Sequence, residues 1–304
     1  MFQPLEELST GSLYILTGQA GAGKSHLAAS ARRRGTVWIL DTEGAAKNLL
    51  GKPGIHKRIQ AVQTLSLRQL VEAMDELKRV GKPGDTVILD SISKVLQAMR
   101  SHAQIRAGGE VDRKTAISFD EHASVNRNLQ AIYTSLTELK HTGFHVIIIG
   151  HLARKYQAQE NALDDVGLRV LADENITYEA DAILLVEREG SNRSITPIIK
   201  PPRPAHLQLG KVYPARLATL YPDMAAEQAF GEEGGRHGRP QTIAEAERRF
   251  FDRYEEIVGG RNWSAVQRFL GERTPKPSSI EEWISAAEMV RARQREATPP
   301  AMAA

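Results

Sequence analysis

The chain predicts an α/β fold, with a mostly parallel central sheet flanked by helices and a small helical C-terminal region after it. Three observations carry this. Short apolar runs alternate with stretches of helical period over residues 12–200. One of those runs passes through a glycine-rich loop straight into a helix. Past residue 230 the strand-like runs stop and only helical patterns remain.

The strands read as SLYILT (12–17), TVWILD (36–41), TVILD (86–90), HVIIIG (145–150) and DAILLVE (181–187). Runs that are apolar throughout are the mark of a parallel strand covered on both faces. A sixth run, SITPIIK (194–200), follows the turn EGSNR and predicts an antiparallel hairpin with the fifth at the sheet edge. Helices are expected over Lys24–Arg33, Leu67–Arg79 and Val125–Lys140. In the second of these, Leu67, Leu70, Val71, Met74 and Leu77 recur at the spacing of one helical face. Residues 101–118 and 153–175 are polar and without period, so both are expected to be irregular loops of functional character.

Two domains are expected: a core over 1–230, and a linker with a helical tail over 231–304. The linker is GEEGGRHGRP (231–240). In the tail, Thr242 with Glu245 and Ser279 with Glu282 have capping-box spacing. Trp263, Val266, Phe269 and Leu270 form one apolar stripe, and Ile280, Trp283, Ile284, Ala287 and Val290 another. Acidic and basic residues balance in the tail, so it is no basic arm.

The absence of cysteine excludes disulfides and thiolate metal sites. A net charge of +3 permits a nucleic-acid partner without requiring one. No apolar run approaches the roughly 20 residues of a membrane-spanning helix. The N-terminal MFQPLEELSTG has no basic segment followed by an apolar core, so no secretory leader is expected. These features predict a cytoplasmic protein with no membrane partner.

Residues 18–25 read GQAGAGKS, the pattern G-x-x-x-x-G-K-[ST] between a strand and a helix. Glycines let consecutive backbone N–H groups converge on phosphate oxygens. Lys24 then reaches the β- and γ-phosphates of a nucleotide such as ATP, and Ser25 offers a hydroxyl to Mg²⁺. The candidate nucleotide-binding residues are Gly18, Gln19, Ala20, Gly21, Ala22, Gly23, Lys24, Ser25 and His26. An acid is needed to hold the metal, and the strand TVILD ends in one, Asp90. Hydrolysis also needs a group that orients the attacking water. Many P-loop ATPases place a Glu directly after the metal acid, but here the next residue is Ser91. The strand VWILD runs instead into Asp41-Thr42-Glu43-Gly44, on the same sheet edge as the phosphates.

With these residues the chain resembles the RecA/KaiC superfamily of P-loop ATPases over roughly residues 10–220. In that group the metal acid is not followed by Glu, and the catalytic Glu lies beyond the second strand. The resemblance implies a RecA-like P-loop NTPase fold with Glu43 as general base, and a structural, turn-capping role for Asp41. It also implies a γ-phosphate sensor at the end of the fourth strand, where Gly150 is followed by His151. Relatives often carry Gln there, and a His can equally donate a hydrogen bond to a phosphate oxygen. EADAILLVERE with its hairpin resembles the DnaB/KaiC pattern, in which a Lys and an Arg just after the hairpin reach the neighbouring subunit's nucleotide. Lys200 and Arg203 stand in that position, one residue farther apart and with prolines between them. The chain also resembles the short RecA-like ATPases common in bacteriophages, some of them single-strand annealing proteins.

Self-association into a ring or filament and a single-stranded DNA partner follow from the same resemblance. Two loops of such proteins face DNA, and by position they are 101–118 and 153–175. The first contains Arg106, Arg113 and Lys114, and the second opens with Arg154, Lys155 and Tyr156, a cation pair and an aromatic of the kind that grip phosphates and stack on bases. The second also carries Asp164, Asp165, Asp173 and Glu174, which oppose a polyanion. Other readings are a ring-forming ATP-driven motor of helicase type, and a nucleotide-dependent switch that binds a protein through the helical tail and never touches DNA.

Overall fold

The computed structural model describes residues 11–30, 35–52, 54–55, 58–106, 118–159, 162–172, 175–222, 240 and 242–297. The chain divides into two compact units, Met1–Ala215 and Arg216–Ala304.

The first unit is built on an eight-stranded sheet among the described residues. Its strands are β1 (Ser12–Thr17), β2 (Val37–Asp41), β3 (Ile59–Gln63), β4 (Thr86–Asp90), β5 (His145–Ile149), β8 (Ala182–Glu189), β9 (Asn192–Pro197) and β10 (Tyr213–Pro214), with β6 (Leu152–Gln159) and β7 (Ala162–Val170) forming a separate hairpin. The order across the sheet is β10-β9-β8-β1-β5-β4-β2-β3. From β8 to β3 all pairings are parallel, and β9 and β10 are antiparallel. The five central strands are the apolar runs of the sequence. Buried residues such as Leu13, Ile15, Val87, Leu89, Val146, Ile148 and Ile183 form one core.

Helices α1 (Lys24–Ser30), α2 (Leu67–Val80), α3 (Ile92–Arg106), α4 (Phe119–His141) and α5 (Asn175–Glu179) complete this unit. Leu70, Met74 and Leu77 of α2 enter the core as their spacing predicts. Helix α4 starts earlier than Val125. Ser118 and Glu121 form a capping box there, and the box satisfies the first free N–H groups of the helix.

Two expectations about loops are corrected. Residues 101–106 belong to α3, whose buried Ile92, Val95, Leu96 and Ala103 keep a helical spacing among polar neighbours. Much of 153–175 forms the antiparallel β6–β7 hairpin, with a bulge between Lys155 and Tyr156. Its strands belong to a sheet of only two, so they carry no continuous apolar run to announce them. The β8–β9 hairpin is as predicted, except that β10 pairs outside β9 and takes the edge.

Two buried acids fix the N-terminal ends of the strands. Asp85 accepts hydrogen bonds from the Thr36 and Lys82 N–H groups and from Trp38 Nε1, at 2.8–3.1 Å. Asp181 accepts from the Leu13 N–H at 2.8 Å and from Lys140 Nζ at 2.6 Å. A buried carboxylate is tolerated only when its charge and lone pairs are matched in this way.

The second unit contains α6 (Leu217–Leu220), α7 (Ile243–Val258), α8 (Trp263–Leu270) and α9 (Ile280–Ala297) among the described residues. Phe250, Tyr254, Val266, Trp283, Ile284, Ala287 and Val290 form its core. Thr242 caps α7 and Asn262 caps α8. At α9, Ser279 accepts from the Glu282 N–H as its spacing predicts, but the Glu282 carboxylate reaches one residue further, to the Ser278 N–H at 2.6 Å. Most of the linker 231–240 lies outside the described residues.

Candidate functional site

The loop between β1 and α1 needs its glycines. Gly18, Gly21 and Gly23 have φ of +141°, +77° and +96°, and a Cβ on Gly18 would lie 2.2 Å from the Val186 carbonyl oxygen. Lys24 Nζ lies across the loop and donates to the Gly18 and Gln19 carbonyls at 3.0 and 2.8 Å. Ser25 Oγ donates to Asp90 Oδ2 at 2.6 Å. His26 is half-buried in the first turn of α1.

Strand order explains why these groups meet. Only β5 separates β1 from β4, and β2 follows β4, so the loop, Asp90, Asp41 and His151 all emerge on one sheet edge. Asp41 and Asp90 are register partners on neighbouring strands. Thr42 joins the two strand ends: its N–H donates to the Asp90 carbonyl at 2.7 Å, its Oγ1 accepts the Ser91 N–H at 2.7 Å, and it donates to the Ser91 carbonyl at 2.9 Å.

The two acids of DTEG do different things. Asp41 is buried and accepts from four consecutive amides. The N–H groups of Glu43, Gly44 and Ala45 donate to Oδ1 at 2.8–3.2 Å, and that of Ala46 donates to Oδ2 at 2.9 Å. It therefore holds the turn that carries Glu43. Glu43 itself projects into the site, where its Oε1 accepts from Ser91 Oγ at 2.6 Å and contacts His151 Nε2 at 2.9 Å. Burial pushes the Glu43 carboxyl up, but hydrogen bonds from Ser91 and His151 and the charges of His151 and Lys94 outweigh it, and the net shift is down. Glu43 is accordingly an ionised acceptor at neutral pH.

Burial drives the Asp90 carboxyl up; Ser25 and Lys24 oppose this, and the nearby charges of Glu43 and Asp41 add to it. Burial lowers the Lys24 ammonium against the pull of Asp90 and Glu43. A buried carboxylate paired with a hydroxyl and short of positive charge is a donor set suited to a hard cation such as Mg²⁺. No cluster of three or more His, Asp or Glu able to hold a metal occurs among the described residues.

Asp41→Asn is expected to act through stability. The amide keeps one acceptor but turns an NH₂ toward backbone N–H groups, at a cost of about 1–3 kcal/mol. Urea unfolding monitored by circular dichroism would measure it, and an unchanged midpoint would show that the four bonds contribute little.

Residues 10–209 match a family model described as an AAA domain. The chain belongs to the AAA-domain family. Its core has the phosphate-loop pattern between β1 and α1 and a mostly parallel sheet between helices, as the sequence predicts. Among solved structures, it is similar to the RadB recombinase, with 18% identity over 62% of this chain and 81% of that one, at a TM-score of 0.37. It is also similar to a KaiC-like protein from the hyperthermophilic archaeon Pyrococcus horikoshii OT3, with 13% identity over 67% and 85% of the two chains, at a TM-score of 0.38. No curated protein matches the chain.

Other predicted residues of this AAA-domain core lie elsewhere. Lys200 and Arg203 follow β9 and are held at the N-terminal edge of the sheet, away from the loop. Lys200 Nζ donates to the Ala180 carbonyl at 2.5 Å, and Arg203 to the Tyr178 and Glu179 carbonyls and to Asp181. Arg106 ends α3 and is exposed. Arg113 and Lys114 lie outside the described residues, as do Asp173 and Glu174. Arg154, Lys155 and Tyr156 are on β6, opposite Leu168, Gly167 and Asp165. No helix among the described residues is long and apolar enough to cross a membrane.

Sequence reasoning missed Ser91 and Ser93. Ser91 registered only as a missing Glu, yet it is the donor that holds the Glu supplied by β2. Ser93 accepts the His151 N–H at 2.8 Å and donates to the Leu171 carbonyl at 2.7 Å, so it closes the base of the β6–β7 hairpin. A serine at the second position of an amphipathic helix gives no such signal by itself.

Proposed function

We propose that this chain is a Mg²⁺-dependent ATPase that acts on single-stranded DNA in recombination or annealing, as a ring or filament of the phage type. The observation that carries the hydrolytic part is the placement of Glu43. Its carboxylate is ionised and oriented by Ser91 and His151, beside the strand that ends in Asp90. In this reading the loop amides and Lys24 hold the phosphates, Glu43 takes a proton from the attacking water, and His151 donates to a γ-phosphate oxygen. Ser25 and Asp90 would hold Mg²⁺, which supplies charge neutralisation on the phosphate oxygens when bound.

Support for the DNA part comes from the β6–β7 hairpin. It begins directly after His151, and it carries Arg154, Lys155 and Tyr156 on one strand. The test is ATP turnover with and without single-stranded DNA, alongside mass measurement of the assembly. Stimulation by DNA is expected; turnover indifferent to DNA would favour the protein-binding switch, and strand displacement on a forked duplex would favour the motor. Arg154 and Lys155 changed together to Ala should weaken single-strand binding and reduce the salt slope by about 0.7 per lost phosphate contact. An unchanged slope would remove both residues from the DNA path.

A further inference from the structure

We propose that Arg193 is a phosphate-binding residue for the nucleotide held by its own chain, reaching the loop 18–25 from the side opposite Glu43. The proposal rests on the nucleotide-binding reading above and adds a residue to it. Arg193 lies on β9, two strands from β1 on the side away from β5. Its guanidinium is packed against the loop: a Cβ placed on Gly23 would lie 2.9 Å from Arg193 Nε and 3.0 Å from Cζ. Gly23 is the residue before Lys24, so the guanidinium stands beside the anion cradle, within one residue of its lysine.

Its surroundings give that charge no other purpose. The Arg193 guanidinium has no hydrogen-bond or ion-pair partner among the described residues. Its register partner across the hairpin is Arg188, a like charge, and like charges directly opposite one another destabilise a strand pair. Arg188 is turned back to the Gly190 carbonyl at 2.8 Å. The strand is nonetheless firmly placed, paired with β8 on one side and β10 on the other, and the Arg193 carbonyl accepts the Ala215 N–H at 3.0 Å. A half-buried, unpaired guanidinium on a rigid strand next to a phosphate-binding loop is arranged for an anion that is not part of the protein.

Charge balance points the same way. An entering triphosphate meets Lys24, but also the carboxylates of Asp90 and Glu43, which already act on that lysine. A second cation would offset this excess of negative charge. The planar fork of an arginine suits phosphate oxygens better than any other side chain. Because the β4 and β2 acids lie on the other side of the loop, Arg193 is remote from the attacking water. It should therefore govern how tightly the nucleotide is held and leave the chemical step largely alone.

The test is equilibrium titration with fluorescent N-methylanthraniloyl ATP and ADP, together with steady-state ATP turnover. Arg193→Ala and Arg193→Gln, the latter keeping most of the side-chain length, should weaken both nucleotides about tenfold, the effect of one lost charge-assisted contact. KM should rise in step, kcat should change by less than about threefold, and Arg193→Lys should recover part of the affinity. Affinities within twofold of the native protein in both variants would overturn the proposal while leaving the loop assignment standing, provided Lys24→Ala abolishes binding in the same assay. A native protein that binds neither nucleotide would instead sink the underlying reading, and this proposal with it. Restored turnover on mixing Arg193→Ala with Lys24→Ala protein would move Arg193 to a neighbour's nucleotide and overturn the assignment to its own chain.

Discussion

Glu43→Gln should bind ATP about as tightly as the native protein and hydrolyse it roughly 10²-fold or more slowly. The substitution preserves length and hydrogen-bonding reach, so Ser91 and His151 still find an acceptor oxygen. What it removes is the negative charge that can receive a proton from water. Binding depends on the loop and Lys24, which Glu43 influences only through space. The variant should therefore accumulate in its ATP-bound form, and any DNA complex that depends on ATP should live longer. Single-turnover hydrolysis beside a binding titration separates the two effects. Normal hydrolysis by Glu43→Gln, with Asp41→Asn well folded but inactive, would reverse the roles of the two acids. The four amides gathered on Asp41 make that reversal hard to accommodate, because its lone pairs are already occupied.

Lys24→Ala should lose triphosphate binding, turnover or both, with kcat/KM down about 10²-fold or more. The ammonium is mounted in the loop itself and bonded to two of its carbonyls, so no neighbouring side chain can take its place. The same contacts give the variant a structural consequence: the Gly18 and Gln19 carbonyls lose a donor, which water can replace at the exposed Gln19. Thermal melting of the unliganded variant should accordingly stay close to native while protection by added ATP disappears. Native turnover in this variant would refute the phosphate-loop assignment.

How much of this was legible in the sequence depended on burial. The central strands β1, β2, β4, β5 and β8 are covered on both faces, so each had to be apolar throughout and was plain to read. Strand β3, IQAVQ, sits at the sheet edge with its residues partly or fully exposed, and its apolar residues, interrupted by glutamines, do not distinguish it from a loop. Helix α3 was hidden because its buried positions are interrupted by Lys, Arg, His and Gln on the open face. At the site, Lys24, Ser25, Asp90 and Glu43 could be named in advance, because strand ends and a glycine loop dictate where they emerge. The contacts that orient them could not. Ser91, Ser93 and Arg193 matter through register across strands that are distant in sequence, and register is set by the assembled sheet.

Ser93 has one further consequence. The β6–β7 hairpin leaves the core at His151 and returns at Leu171, and both ends are fastened to the same hydroxyl. A backbone bond from the Leu171 N–H to the His151 carbonyl, at 2.7 Å, shuts the base again. Everything beyond that point is a detachable tool on a fixed socket. Its length and tip chemistry can be rewritten without displacing His151, so under the proposed function the DNA-contacting segment could change while the hydrolytic site keeps its geometry.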